Sequence, residues 1–187
     1  DGLYQVSDFD YDAATKTYTL KDGVPYAGEK GNVKPGMWKF KNIDGSKDNK
    51  ITEADKTVIG NAYPKIYGGI NNTFTYKDFD LSIFLTYSIG NDVFNATKLT
   101  NTKTALQNKN VLAVADSKHR WVLVNKVGDL ITDPQEMADI NKGKTVAAIY
   151  DNEAGDTYIH SWAVEDGSFL KLSNITLGYT FPKKMIR

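Results

Sequence analysis

The chain has 187 residues, and its 23 Lys and Arg balance 23 Asp and Glu, so the formal net charge is zero and gives no electrostatic ground for a nucleic-acid partner. There is no cysteine, which excludes disulfides, thiolate zinc sites and thiol nucleophiles together. No apolar run approaches the roughly 18–20 residues of a membrane-spanning helix, a limit that does not apply to strands.

The first 36 residues are rich in Gly, Asp, Lys and Tyr, and TYTL (residues 17–20) predicts a short strand ahead of the turn signals KDG and KPG. This is an elaborate loop with small β-elements. In MWKFKNI (residues 37–43), Met37, Lys39, Lys41 and Ile43 alternate with Trp38, Phe40 and Asn42, and predict a strand that delivers the chain into an acidic loop.

Calcium takes roughly six to eight oxygen ligands, and a loop of about twelve residues supplies them from positions 1, 3, 5, 7, 9 and 12. Here those positions are Asp44, Ser46, Asp48, Lys50 through its carbonyl, Thr52 and Asp55, with Ile51 as the apolar anchor between. Asn49 stands where Gly usually makes the sharp turn, and Asp55 where a bidentate Glu is usual. The expectation is a structural calcium site weaker than a cytosolic sensor. The same residues read equally as an acidic turn whose side chains cap backbone amides. A strand, not a helix, leads in, and no second loop pairs with it, so a calcium switch is not expected.

IYGGINNTFTYKDFDLSIFLTYSIGN carries the clearest periodicity. Phe79, Leu81, Ile83, Leu85, Tyr87 and Ile89 take every second position, with Asp80, Ser82, Thr86 and Ser88 among the places between. Before them, Ile70, Phe74 and Tyr76 alternate with Asn71, Thr73 and Thr75. A two-residue turn at Lys77 and Asp78 would set Tyr76 opposite Phe79, Phe74 opposite Leu81 and Ile70 opposite Leu85, so both alternations agree on one register. Such a hairpin is the ordinary element of a soluble sandwich with one buried face, and it also fits a transmembrane barrel; periodicity does not separate the two, because a protein core and lipid are both apolar.

Residues 91–166 are mostly polar and irregular. DPQEMADINKG predicts a helix with Asp133 as N-cap, Pro134 at the first position, Glu136 two residues on and Gly143 beyond the end; a second short helix is expected around residues 105–120. In SFLKLSNITLGYTFPK, Ile175, Leu177, Tyr179 and Phe181 alternate with Asn174, Thr176, Gly178 and Thr180, predicting a last strand that Pro182 ends. The fold class expected is mainly β, with antiparallel strands and long loops carrying short helices.

Catalytic chemistry is thin. His119 and His160 lie far apart and outside any metal spacing, no nucleophile elbow, Walker loop or dinucleotide fingerprint occurs, and no carboxylate pair stands out. The chain is not expected to be an enzyme. Trp38, Trp121, Trp162 and eleven Tyr could pack, stack on sugars or form an interfacial girdle.

The ordered succession Asp44 to Ile51, DKTVIGNAYP (residues 55–64), Tyr67-Gly68, Phe79-Asp80-Leu81 and GNDVFN (residues 90–95) resembles the signature region of SusC/RagA-type TonB-dependent outer-membrane transporters. FLKLSNITLGYTFPKK (residues 169–184) is similar to a later strand of that family, whereas residues 107–163 have no defensible match. The replacement of the family's Asn-Gly-Asp-Gly by Ser46-Lys47-Asp48-Asn49 bears on metal affinity more than on the likeness.

The resemblance implies a transmembrane β-barrel, incomplete here, in the outer membrane of a Bacteroidetes-type bacterium. It implies a TonB-driven importer of oligosaccharides or peptides that works with a SusD-like lipoprotein and contacts outer-membrane lipid, with no nucleic-acid partner. The chain is accordingly expected to be a late portion of a longer protein. Within it, residues 1–66 would be an extracellular loop and strand with the calcium-type loop, 67–90 a transmembrane hairpin, 91–166 extracellular loops and 167–187 a barrel strand. Phe79, Leu81, Ile83, Leu85 and Tyr87 would face lipid; Asp80, Ser82 and Thr86 would face the lumen. The competing expectation is a soluble, calcium-stabilised β-rich binding module of a surface or secreted protein.

Overall fold

The computed structural model describes residues 2–102, 110–150 and 158–182. They form a mainly β structure, antiparallel except for one short pair, that divides into two units. Among the described residues the strands do not close a barrel.

The first unit comprises Asp1–Thr57 and Ala96–Ile159. Its strands are short: β1 (Gly2–Leu3), β2 (Phe9–Asp12), β3 (Thr17–Leu20), β4 (Tyr26–Ala27), β5 (Trp38–Lys39) and β6 (Lys50–Ile51). β2 and β3 form a hairpin, β1 pairs with β5, and β4 runs parallel to β6. The strand expected over residues 37–43 is only Trp38–Lys39, because its partner β1 offers two residues to pair with. The TYTL segment forms β3 with the expected bounds.

These loop-rich segments nonetheless share a core. Tyr4, Phe9, Leu20 and Val33 are buried together, with Tyr18, Val24, Tyr26 and Met37 packed against them. Tyr4, Phe9 and Tyr18 meet edge to face at centroid separations of 6.0 Å. Residues more than a hundred positions apart are joined by hydrogen bonds: Tyr11 Oη donates to the Thr132 carbonyl at 2.7 Å and Tyr150 Oη to that of Pro35 at 2.8 Å.

Gly36 sits at the junction. Its N–H donates to the Tyr4 carbonyl at 2.8 Å and its own carbonyl accepts from Ala148 at 2.9 Å. Its φ is +87°, and a β-carbon there would come within 2.5 Å of the Trp121 ring, which is 1% exposed. Only glycine meets both conditions. Arg120 donates to the carbonyls of Ala115, Ala147 and Thr102. Asn141, 1% exposed, accepts from the Val122 N–H and donates to the carbonyls of Val122 and Met137. The polar groups of Arg120 and Asn141 thereby find partners, whereas the buried Trp121 Nε1 has no hydrogen-bond partner among the described residues.

Among the described residues this unit has two α-helices, α1 (Ala96–Thr100) and α2 (Pro134–Ile140). α2 begins as its sequence requires, with the Asp133 carboxylate accepting from the Glu136 N–H at 2.7 Å and Pro134 at the first position; Gly143 beyond it has a φ of +78°. Of the helix expected around residues 105–120, residues 105–109 lie outside the described residues, and the rest contains a 3-10 turn at Ala113–Ala115.

The second unit comprises Val58–Asn95 and His160–Arg187 and is built on three strands of 11 residues: β7 (Ile66–Tyr76), β8 (Phe79–Ile89) and, after the short strands β9 (Asp92–Phe94) and β10 (Val164–Asp166), β11 (Phe169–Tyr179). The order is β11-β8-β7, antiparallel throughout. Tyr76 pairs with Phe79, Phe74 with Leu81 and Ile70 with Leu85, the register that the alternation predicts. The chain enters β7 at Ile66, leaves β8 at Ile89 and re-enters at Phe169, all at one end of the sheet; the Lys77–Asp78 turn lies at the other.

Candidate functional site

The two faces of the β11-β8-β7 sheet differ in chemistry along most of their length. Pairing aligns Ile66, Ile70, Phe74 and Tyr76 with Phe79, Leu81, Ile83, Leu85, Tyr87 and Ile89, and these with Leu170, Leu172, Ile175, Leu177 and Tyr179 on one face. Leucines and isoleucines occupy the middle of that face, with Asn72 opposite Ile83 as its polar exception. Phe79 and Tyr179 pack at 4.6 Å near the turn end, Phe181 meets Tyr179 at 5.0 Å, and the Lys77 ammonium sits 5.3 Å from the Tyr76 ring centre. Tyr87 lies toward the other end, over Gly68, where a β-carbon would be 2.9 Å from its hydroxyl.

The opposite face carries Tyr67, Asn71, Thr73 and Thr75 on β7, Asp80, Ser82, Phe84, Thr86 and Ser88 on β8, and Phe169, Lys171, Asn174, Thr176 and Gly178 on β11. Ser82 donates to the Asn71 side chain at 3.3 Å, and Asn174 to Thr176 at 3.2 Å. Asp80 reaches across to Gly178, where any side chain would meet its carboxylate. Phe84, over Gly69, is the one large apolar side chain of β8 on this face.

The apolar face is exposed. Leu170 and Leu177 are each 70% accessible, and Phe74, Ile175 and Leu172 more than half. Contiguous apolar patches on monomeric soluble proteins rarely exceed a few hundred Å². A soluble sandwich would bury such a face, so the sheet is built to meet an apolar environment. Ten steps from Phe79 to Ile89 at about 3.3 Å make roughly 33 Å, which at a tilt of about 35–45° spans about 23–27 Å, close to the apolar band of an outer-membrane barrel.

At the end of the sheet away from the turn, motif residues tie three chain segments together. Asn61 and Asp92 are reciprocally bonded, the Asn61 N–H to the Asp92 carboxylate at 2.8 Å and the Asp92 N–H to the Asn61 carbonyl at 2.7 Å. The Asn91 carbonyl accepts from Gly167, the Gly90 N–H donates to Ser168 Oγ, and the Asn95 N–H donates to the Ala163 carbonyl. β9 pairs with β10 beside them. These bonds explain why short polar residues and glycines recur in VIGNAYP and GNDVFN.

In the acidic loop of the first unit, Asp55 is the organising side chain. One oxygen accepts from the N–H groups of Ile43 at 2.7 Å and Asp44 at 3.2 Å, the other from Thr52 at 2.8 Å. Thr52 in turn caps the Glu53–Asp55 turn by accepting from Ala54. Asp44 accepts from the Ser46 N–H and Asp48 from that of Lys50, while Asn49 adopts a φ of +57°. The backbone thus turns at Asn49 as a calcium loop does. The side chains at Asp44, Asp48 and Asp55 serve amides, and among the described residues no group of three or more His, Cys, Asp or Glu converges to hold a metal. The amides of Thr52 and then Ile43 hold the Asp55 carboxyl below its ordinary pKa. Its role as a loop staple was invisible in the spacing, since its partners are main-chain groups. His119 Nδ1 lies 2.7 Å from Asp116 and His160 stacks on Trp162, so neither histidine joins the loop.

Three curated proteins of Formosa agariphila are similar to this chain. TonB-dependent receptor P3 is 26% identical over 185 residues, covering 99% of the chain; TonB-dependent receptor P26 is 27% identical over 89% of it, and TonB-dependent receptor P39 is 28% identical over 97%. The chain spans only 15–16% of the length of these relatives. No protein-family model matches the chain.

Asp55 carries a pH dependence of known sign. Its folded pKa is depressed, so its contribution to stability is present above the ordinary carboxylate value and is lost as pH falls through the folded one. Replacing Asp55 by Asn removes one acceptor set and should lower the melting temperature at neutral pH while flattening the acid limb of the stability profile. An unchanged melting temperature in Asp55→Asn would show that the staple is dispensable.

Proposed function

We propose that this chain is part of the barrel of an outer-membrane TonB-dependent importer of nutrients. The observation that carries this reading is the exposed, mainly apolar face of three paired 11-residue strands, with aliphatic side chains and the single Asn72 at mid-height and aromatics toward the ends. The similarity to proteins named TonB-dependent receptors supports it independently. In this reading the apolar face meets lipid and the face bearing Asp80, Ser82 and Thr86 lines the lumen. The protein imports by transport and performs no covalent chemistry on its cargo.

The finer identity rests on the motifs. The run from the acidic loop through VIGNAYP to GNDVFN supports a SusC/RagA-type receptor that takes up oligosaccharides or peptides with a SusD-like lipoprotein and TonB. The first unit and the β9-β10 pair would be extracellular, and the Lys77–Asp78 turn periplasmic. A soluble module draws support from the buried core of the first unit. The second unit opposes it, since its long strands bury no comparable face.

A calcium ion is part of the proposal as a structural reinforcement. Asp44, Ser46, Asp48, Thr52, Asp55 and the Lys50 carbonyl would hold it, supported by their spacing and by the left-handed turn at Asn49. The ion would supply charge neutralisation among the three carboxylates. Calcium should then raise the melting temperature over that in a chelator, and Asp44→Ala should abolish the rise; equal melting temperatures with and without calcium would remove the ion from the account.

Orientation is tested on intact cells. Asp116→Cys should react with a membrane-impermeant thiol reagent, whereas Asp78→Cys should react only after the outer membrane is permeabilised. The reverse pattern would invert the proposed topology.

A further inference from the structure

Strand β11 contains one residue more than its pattern needs. Its pairing with β8 shifts between Leu172, opposite Leu85, and Asn174, opposite Phe84, so Ser173 is the extra residue of a β-bulge. Apolar residues take even positions before the bulge, Leu170 and Leu172, and odd positions after it, Ile175, Leu177 and Tyr179, and the bulge brings both sets onto one face. Without Ser173 the residues from Leu170 to Tyr179 would alternate in the same pairing, Leu172 against Leu85 and Asn174 against Phe84. The extra residue is therefore not needed to satisfy the apolar face, yet it interrupts the ladder. A local rule broken without a folding gain marks a position kept for another purpose.

What the bulge adds is on the other face. The Ser173 hydroxyl lies 2.7 Å from that of Thr86, and the next residue, Asn174, shares the polar face through its pairing with Phe84. A regular strand cannot set consecutive side chains on one face. We propose that Ser173 is an insertion that serves the polar face, placing Ser173 and Asn174 side by side with Thr86 to form a local cluster of hydroxyl and amide groups. Resting on the barrel reading above, this cluster is a positioning element of the lumen wall for solutes rich in hydrogen-bonding groups.

The test uses the full-length protein in its own host with Ser173 deleted. Cysteine pairs at Tyr87 with Leu170 and at Leu81 with Leu177 report the register on either side of the bulge, and both should cross-link in the deletion variant as they do with Ser173 present. The melting temperature of the Ser173 deletion should be unchanged or raised. Deletion of Thr176, which also removes the extra residue but turns Asn174 to the apolar face and Ile175 to the polar one, should lower it. Growth that depends on the protein should be slowed by the Ser173 deletion at equal amounts of assembled protein. A lost cross-link or lowered melting temperature on deleting Ser173 would make the bulge a folding requirement, and undiminished growth would remove its role on the polar face; either overturns the proposal. Failure of the protein to fractionate with the outer membrane would instead contradict the barrel reading, while the cross-links and melting temperatures would still decide what the bulge does for the strand.

Discussion

The register of β8 against both of its neighbours is the constraint on which the second unit depends. β8 pairs over its full length with β7 and, through one bulge, with β11. Because side chains alternate, slipping either pairing by one residue would send a row of Leu, Ile and aromatic side chains to the face that carries Asp80, Ser82 and Thr86. The register is held at several places at once: apolar pairs across the middle, Tyr87 over Gly68, Asp80 over Gly178, and the Asn61–Asp92 bonds at the end. One face is left mainly apolar, with Asn72 opposite Ile83 as its polar exception.

The first unit is organised differently. Its strands are two to four residues long, too short to hold it by ladders alone. Bonds between distant segments and a small aromatic core hold it instead, with Gly36 touching Tyr4, Trp121 and Ala148 at once. Segments that read as long loops are thus a packed body.

How much was legible follows the range of the interactions. The β7-β8 hairpin and its register were readable because both alternations lie within 24 residues and the turn between them is two residues long. α2 was readable because Asp133, Pro134 and Gly143 are local signals. The lower half of β11 was legible from Asn174 onward, but the upper half was not, because Ser173 shifts the parity and only the partner strand reveals the shift. The meeting of Gly36 with Trp121 was beyond reading, since nothing local in either segment names the other. At the acidic loop the spacing suggested a cation, and the folded loop shows amides occupying Asp55. Backbone donors leave no trace in a motif.

The central claim is that the apolar face of the β11-β8-β7 sheet meets lipid. Because this chain has no cysteine, single cysteines at Ile83 and Ser82, adjacent on β8 and on opposite faces, can be labelled with an environment-sensitive fluorophore and challenged with lipid-borne and water-borne quenchers. The account predicts that the label at Ile83 is quenched from the lipid and shielded from water, and the label at Ser82 the reverse. Equal quenching at both positions, or shielding of Ile83 from both quenchers as in a protein core, would contradict it.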